Sequence, residues 1–557
     1  MAGLAATLGS GAMTNPIVDL ANADCIFVIG SNFAENHPIV SRWVLDAKQR
    51  GATLIVADPR FTPTAWSADL FLPLLPGTDT SLINAMMNVI IEEGLWNEEF
   101  VQERVEGFDD LCDVISLYSP ERAAKITGVP AEDIVKAARA YATAEASSIV
   151  YCMGITQHTC GTETVRNLAN LAMLTGQIGR PGTGVNPLRG QDNVQGACDM
   201  GALPNVYSGY QPVADEANRE KFAKAWELAP EDLSLKPGLT LVEMTHAIDE
   251  GKLRGMVILG ENPVVGDPNA AHVIEALKKL DFLAVIEIFP TETTELAHVI
   301  LPAVSFAEKR GTKTATDRRV QWLERAVEPV GEAMVDWRII SRLAARLGFE
   351  KQFTYPHEEA IFYEIRAMTP SYAGLNPERL QNKPGGIPWP CLASDHPGTP
   401  ILYTKSFNRP DGKGKMLPAE YVPPAEATSD EYPLTLTSGR VVLHYNAGAM
   451  TRRTRALQER EPELFVQLHP QTAEKYGVRA SSPKGEQAEA LVATRRGEVR
   501  ARVRLTRRIP PGVLFMPFHF PEMNLLTNDA LDPTAKIPEY KVAACRIRPV
   551  EEGDGHA

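Results

Sequence analysis

"DCIFVIGSN", residues 24–32, decides the fold. Its apolar run is too short for a helix, opens after an aspartate and ends in glycine and asparagine, the signature of a strand buried on both faces. Four further stretches share that shape: "ATLIVADPR" (52–60), "SSIVYCMG" (147–154), "RGMVILGEN" (254–262) and "FLAVIEIF" (282–289). Helical periods lie between them, as in "TSLINAMMNVIIEEG" (80–94), "PAEDIVKAARAYATA" (130–144) and "NAAHVIEALKKL" (269–280). Alternating buried strands and amphipathic helices predict parallel α/β layers, with ligands beyond the carboxyl ends of the strands.

The first strand has an echo. "FVIGSN" ends at Asn32 and precedes a strand ending in Asp58; "VILGEN" ends at Asn262 and precedes one ending in Glu287. The glycine-to-acid separations are 28 residues from Gly30 and 27 from Gly260. A glycine after the first strand lets backbone approach a phosphate, and an acid after the second can bond a ribose hydroxyl. Two related nucleotide sites on one chain are one reading. The other is that any βαβ unit of about 30 residues gives this spacing.

From about residue 426 the texture changes to short strands and turns: "YPLTLTSGR" (432–440), "ALVATRRGEVRARVRLT" (490–506) and "GVLFMPFHF" (512–520). Alternation such as V-R-A-R-V-R-L marks half-exposed strands, and several in series predict a barrel. The proline-rich "EYVPPAEATSDEYP" (420–433) reads as a linker. The predicted fold class is therefore α/β: two doubly wound parallel α/β layers related by a pseudo-repeat, plus a C-terminal β-barrel domain.

At 557 residues the chain exceeds a single core. Its 70 acidic and 56 basic residues give a net charge of −14, which argues against nucleic acid as a partner. Seven scattered cysteines without a C-x-x-C pair speak against a disulfide framework, a zinc ribbon or an iron–sulfur cluster ligated within these residues. No run of ~18 apolar residues exists to span a membrane.

Phosphate-loop, zinc-helix and nucleophile-elbow motifs are absent, so simple kinase and hydrolase readings fall away. What remains is a set of polar groups at strand ends: Asn32, Glu35, Asn36 and His37; Asp58 and Arg60; Gly77 and Asp79; Gly154 and Gln157. Each alone reads as a cap or turn residue; together they resemble the rim of one long polar ligand. Arg189, between Pro187 and Gly190, sits where neither helix nor strand is favoured. A guanidinium there can hold a small carboxylate or nitrate by two charge-assisted hydrogen bonds, or serve a salt bridge between domains.

Across nearly its whole length the sequence resembles the molybdopterin-dependent oxidoreductases, and within them the catalytic subunits of formate dehydrogenases. The resemblance is carried by "TVRNLANLAMLTGQIGRPGTGVNPLRGQDNVQGACDMGALPN", "ILGENP", "HVILPAVSFAEKRGT", "TSGRVVLHYNAGAMTRR" and "DPTAKIPEYKVAACRIRP". It implies molybdenum or tungsten held by two molybdopterin guanine dinucleotides. Asn32, Glu35, Asn36, Asp58, Arg60, Gly77, Asp79, Met153, Gly154 and Gln157 would contact one dinucleotide. Asn262, Glu287, Arg440, His444, Asn446, Asn524, Tyr540 and Lys541 would lie around the other and the pterins. Arg189 would orient formate, and Gln191 would touch a pterin. The implied domains are 1–191 (α/β, dinucleotide-binding), 192–425 (second α/β, incomplete at its start) and 426–557 (barrel). The implied reaction is reversible oxidation of formate to CO2. Its electrons would leave through a [4Fe–4S] cluster to an iron–sulfur subunit, a diaphorase or a hydrogenase, and the compartment expected is the cytoplasm. Nitrate reduction on the same cofactor and a non-catalytic scaffold are the competing readings.

The sequence departs from the family at its front. Members carry a cysteine-rich cluster segment, then a cysteine or selenocysteine metal ligand a few residues before the position of "AGLAATLGSGAMTN" (2–15). No metal ligand is therefore assigned here. A selenocysteine codon taken as a stop would explain the start at Met1. Such a chain is expected to be inactive alone and to expose apolar surface of its second layer. The stretch 478–499 also departs from the family's usual turn.

Overall fold

The computed structural model describes residues 1–479 and 488–551, so residues 480–487 of the departing stretch lie outside the described residues. Two compact units emerge. One comprises Met1–Gly190, Val264–Ala271 and Ile401–Ala557; the other comprises Gln191–Pro263 and His272–Pro400.

The first unit is built on five parallel strands: β1 (Cys25–Ile29), β2 (Thr53–Ala57), β3 (Leu70–Leu72), β4 (Ser147–Tyr151) and β5 (Gly184–Pro187), in the order β3-β2-β1-β4-β5. The two-residue period of a strand divides them between two cores. Cys25, Phe27 and Ile29 join Ile55, Ala57, Ile149 and Tyr151 against the helices Asp79–Glu92, Ala131–Thr143 and Gly161–Leu174. Ile26 and Val28 join Leu54, Val56 and Val150 against Val40, Val44 and Ala47 of the helix Pro38–Gln49. Helices on both faces explain why β1 is apolar without alternation and why every residue of β1 and β4 is buried. The strand order reverses at β1, so β1 and β4 open a crevice at their carboxyl ends.

The second unit contains the parallel strands β6 (Gly255–Leu259), β7 (Phe282–Glu287) and β8 (Val299–Pro302), in the order β8-β7-β6. An antiparallel sheet, β9 (Gly311–Thr314), β10 (Arg319–Leu323) and β11 (Ile387–Pro388), completes it. The pseudo-repeat is written in its backbone hydrogen bonds. Gly30, at φ 58°, donates to Ala57 O at 3.1 Å, and Gly260, at φ 62°, donates to Ile286 O at 2.9 Å. Asp69 N donates to Leu54 O, and His298 N to Leu283 O, each at 2.8 Å. Even the return bonds match: Leu54 N donates to the Asp69 carboxylate and Leu283 N to the His298 ring. Val257 and Leu259 of β6, Phe282 of β7 and Val299 and Ile300 of β8 are exposed.

Six strands close the C-terminal barrel: β12 (Leu434–Gly439), β13 (Phe465–Leu468), β14 (Glu489–Ala493), β15 (Glu498–Leu505), β16 (Val513–Pro517) and β17 (Ala543–Pro549), ordered β12-β16-β13-β15-β14-β17. In β15 Val499, Ala501 and Val503 face the core while Arg500, Arg502 and Arg504 pair outside with Glu489, Glu463 and Glu461. Polar bonds fasten the barrel segment to a helix and a loop beside the first sheet within one unit. The Asp532 carboxylate accepts from Thr162 N at 2.8 Å and Thr162 Oγ1 at 2.9 Å, and Phe61 N donates to Arg508 O at 2.7 Å.

Candidate cofactor and substrate site

At the carboxyl end of β1 the chain turns at Gly30 into Ser31 and Asn32. Asn32 Nδ2 donates to Glu35 at 2.5 Å, and its Oδ1 accepts from Thr64 Oγ1 at 2.9 Å. Gly154, at the end of β4, lies against this turn: a Cβ on it would stand 2.5 Å from Gly30 Cα, so glycine is required there by packing. At the end of β2, Arg60 N donates to Asp58 at 2.8 Å. The Arg60 guanidinium lies 3.4 Å from the centroid of the Phe515 ring, so the barrel helps to hold it.

The barrel also delivers Lys541, whose Nζ donates to Ser438 O at 2.9 Å and whose backbone N donates to Gln157 O at 3.4 Å. Burial lowers Lys541 to about 8, with Cys152 and Asp58 opposing the shift and Arg60 reinforcing it. Burial likewise raises Asp58 and lowers Arg60, each partly offset by the other. Asp79, which starts the helix Asp79–Glu92, is raised to about 6 by desolvation against the opposing charge of His158. Gly77 (φ 81°) precedes it, and a Cβ there would meet Pro424 at 2.6 Å. Among the described residues, the buried Ser31 Oγ, Asn36 Oδ1 and Thr62 Oγ1 lack hydrogen-bond partners. Buried groups of this kind are satisfied by protein, water or ligand. With two desolvated cations beside them, these residues fit a polar, anionic dinucleotide. Met153, Gly154 and Gln157 lie in and just after the short helix Met153–Thr156.

Arg189 lies just beyond β5, half-buried. Its Nη2 donates to Gly11 O at 3.2 Å, and its own carbonyl accepts from His37 Nε2 at 2.6 Å. A carbonyl only accepts, so this bond places the His37 proton on Nε2. Burial lowers the His37 pKa, which keeps the ring neutral.

The remaining barrel residues are largely committed to the protein itself. His444 is fully buried and uses both ring nitrogens, on Glu461 O at 2.7 Å and Thr451 Oγ1 at 3.2 Å. Its carbonyl receives Arg440 Nε at 3.3 Å. Asn446, at φ 47°, gives its carbonyl to His519 Nδ1 at 2.6 Å, while His519 Nε2 accepts from Val441 N at 3.0 Å. His519 is thus a fixed neutral tautomer, and burial pushes it down to about 3. Asn524 Nδ2 donates to Val265 O at 2.6 Å, and Tyr540 OH donates to Gly266 O at 3.0 Å, so both grip the segment after Asn262.

In the second unit Asn262 repeats the bonding of Asn32. Its Oδ1 accepts from Thr293 Oγ1 at 2.7 Å and its Nδ2 donates to Glu292 at 2.8 Å. Glu287 closes β7, and Gln191 is exposed. The helix Val194–Asp199 is anchored by Asp199, whose carboxylate accepts from Gln195 at 2.8 Å and from Tyr210, Tyr372 and Trp389 at 2.7 Å each. Sequence reading missed Thr64 and Thr293. Their signal is a second echo, "TAWSADLFLP" (64–73) against "TTELAHVILP" (293–302), threonine and the L-P strand end falling at equal spacing.

The model of the molybdopterin oxidoreductase family matches residues 4–346, and that of the molydopterin dinucleotide binding domain matches residues 434–544. F420-dependent formate dehydrogenase 1 subunit alpha of Methanococcus maripaludis is 48% identical over 98% of this chain and 80% of its own length. Formate dehydrogenase H of Escherichia coli is 40% identical over 99% of this chain and 76% of its own length. Among solved structures, acetylene hydratase from Pelobacter acetylenicus shares the fold, with a TM-score of 0.77 at 22% identity over 99% of this chain and 80% of that one. No helix of the described residues is long and apolar enough to cross a membrane. The chain belongs to the molybdopterin oxidoreductase family.

Proposed function

We propose that this chain is the substrate-binding and cofactor-binding part of a formate dehydrogenase catalytic subunit. The observation that carries the reading is Arg189: a permanent cation beyond the last strand of the first sheet, its loop pinned through the His37 bond to its carbonyl. A formate anion suits a guanidinium fork, which matches a carboxylate with two parallel N–H bonds. The relatives' names, formate dehydrogenases, support the same substrate.

The Asn32 and Asn262 turns each take one guanine nucleotide of a bis(molybdopterin guanine dinucleotide) carrying molybdenum or tungsten. Asp58 and Glu287 bond the riboses, while Arg60 and Lys541 face the anionic linkage. Bound there, that cofactor supplies two-electron redox chemistry. This chain's share is to hold formate by Arg189, keep His37 neutral beside the loop, and fix the turns through Thr64 and Thr293. Onward electron transfer falls to a [4Fe–4S] cluster and a partner subunit, with F420 as acceptor favoured by the name of the methanogen relative.

Formate-dependent reduction of a viologen dye tests the reading in the cofactor-loaded catalytic subunit that joins this chain to the family's cluster and metal-ligand segment. Arg189→Ala loses two charge-assisted hydrogen bonds, so kcat/KM falls by about 10²-fold or more, and Arg189→Lys recovers part of it. Wild-type turnover by Arg189→Ala, or nitrate reduction in place of formate oxidation, overturns it.

A further inference from the structure

We propose that His246, Asp249 and His272 form a binding site for one divalent first-row transition ion, of which Zn2+ is the type. His246 and Asp249 stand one turn apart on the helix Leu241–Asp249, and His272 comes from the helix Ala270–Leu277. Strand β6 passes between those two helices in the chain, so the site joins the elements that flank the Asn262 turn.

Three observations carry the proposal. One ligand atom from each residue lies within 4.8 Å of the other two. The imidazole rings of His246 and His272 are 5.1 Å apart, inclined at 36°. His272 Nε2 already contacts Asp249 Oδ2, while Lys279 Nζ takes the other carboxylate oxygen at 2.8 Å, so Oδ2 already faces the His272 ring.

Tetrahedral zinc, with bonds of about 2.0–2.2 Å, needs donor atoms roughly 3.4 Å apart. The donor atoms, within 4.8 Å of one another, draw together to reach that spacing when an ion binds, with His246 the exposed histidine of the pair. Two imidazoles and one carboxylate suit a borderline ion such as Zn2+, Co2+ or Ni2+ better than Mg2+ or Ca2+, which prefer oxygen. The site lies at the C-terminal end of the helix Leu241–Asp249, where the backbone dipole favours a cation. An ion here would tie residues 246 and 272 together, and with them the helices that come before and after β6 in the chain. The groups present also form an ordinary ion-pair chain from His272 through Asp249 to Lys279. The experiment separates that chain from a metal site.

Zn2+ and Co2+ are titrated into the full chain in metal-free buffer at neutral pH, followed by calorimetry, by thermal midpoint and by the visible absorption of the Co2+ adduct. The proposal expects one equivalent bound, a raised midpoint, and d–d bands of a four- or five-coordinate ion. His246→Ala and His272→Ala each weaken binding by at least about tenfold, the loss that even supporting groups around a metal produce. Asp249→Asn, which keeps the side chain's shape, weakens it too while circular dichroism stays unchanged. Absence of binding by the intact chain, or one equivalent of unaltered affinity in the double variant His246→Ala/His272→Ala, overturns it.

Discussion

Replacing Lys541 by methionine should make the cofactor-free protein more stable at neutral pH while removing a cation that the proposed function assigns to the dinucleotide. Burial lowers the amine from 10.5 to about 8, so keeping it charged in the folded state costs roughly 3 kcal/mol at pH 7. Methionine removes that cost and fills similar volume. It also forfeits the bond from Nζ to Ser438 O, leaving a buried carbonyl unmet at a cost of about 1–2 kcal/mol. The first effect wins by roughly 1–2 kcal/mol, or a rise of about 1–3 °C in Tm for a unit of this size. Between pH 8 and 10.5 the unfolded chain binds more protons at this site than the folded one. Wild-type stability therefore gains from Lys541 deprotonation across that window, and the advantage of methionine shrinks. Above pH ~10.5 only the missing hydrogen bond remains, and the variant becomes the weaker protein. Scanning calorimetry of both proteins at pH 7, 8, 9 and 10, at one scan rate, reads the difference directly. A variant that melts lower at pH 7, with a difference independent of pH, would refute the reasoning.

The same linkage acts in reverse at Asp79, raised from 3.8 to about 6. The folded state holds that proton more tightly, so stability falls as pH climbs through this window; Asp79→Asn should flatten the fall in a series of melts. Gly154→Ala should destabilise the first unit by about 1–3 kcal/mol, because its Cβ would meet backbone of Gly30, which cannot rotate away. Hydrogen exchange should report the loss first at Gly30 and Ser31.

Much of this architecture was legible because buried parallel strands leave a blunt mark. "CIFVI" needs apolar side chains on both faces, and the polar Ser31 and Asn32 just past it mark the ligand side. The spacing from Gly30 to Asp58 and from Gly260 to Glu287 predicted a repeat, which the paired hydrogen bonds of Gly30 and Gly260 display. Less legible were groups whose role depends on a distant partner. Nothing near Lys541 in the chain announces Ser438 or Gln157, and His37 carries no local sign that it holds the carbonyl of Arg189. Gly154 was read as a cofactor contact, and the turn at Gly30 leaves no room for a Cβ there, a contact between the ends of two strands. Thr64 and Thr293 escaped notice because a lone threonine before a short strand reads as a cap, and only the aligned pair reveals the shared asparagine bond.

The most direct test of the account is the nucleotide content of the purified protein, released by acid and separated by chromatography, for the wild type and for Asp58→Ala and Glu287→Ala. The account predicts two guanine nucleotides per chain, with each substitution losing one. A single nucleotide, a base other than guanine, or full occupancy in Glu287→Ala would contradict it.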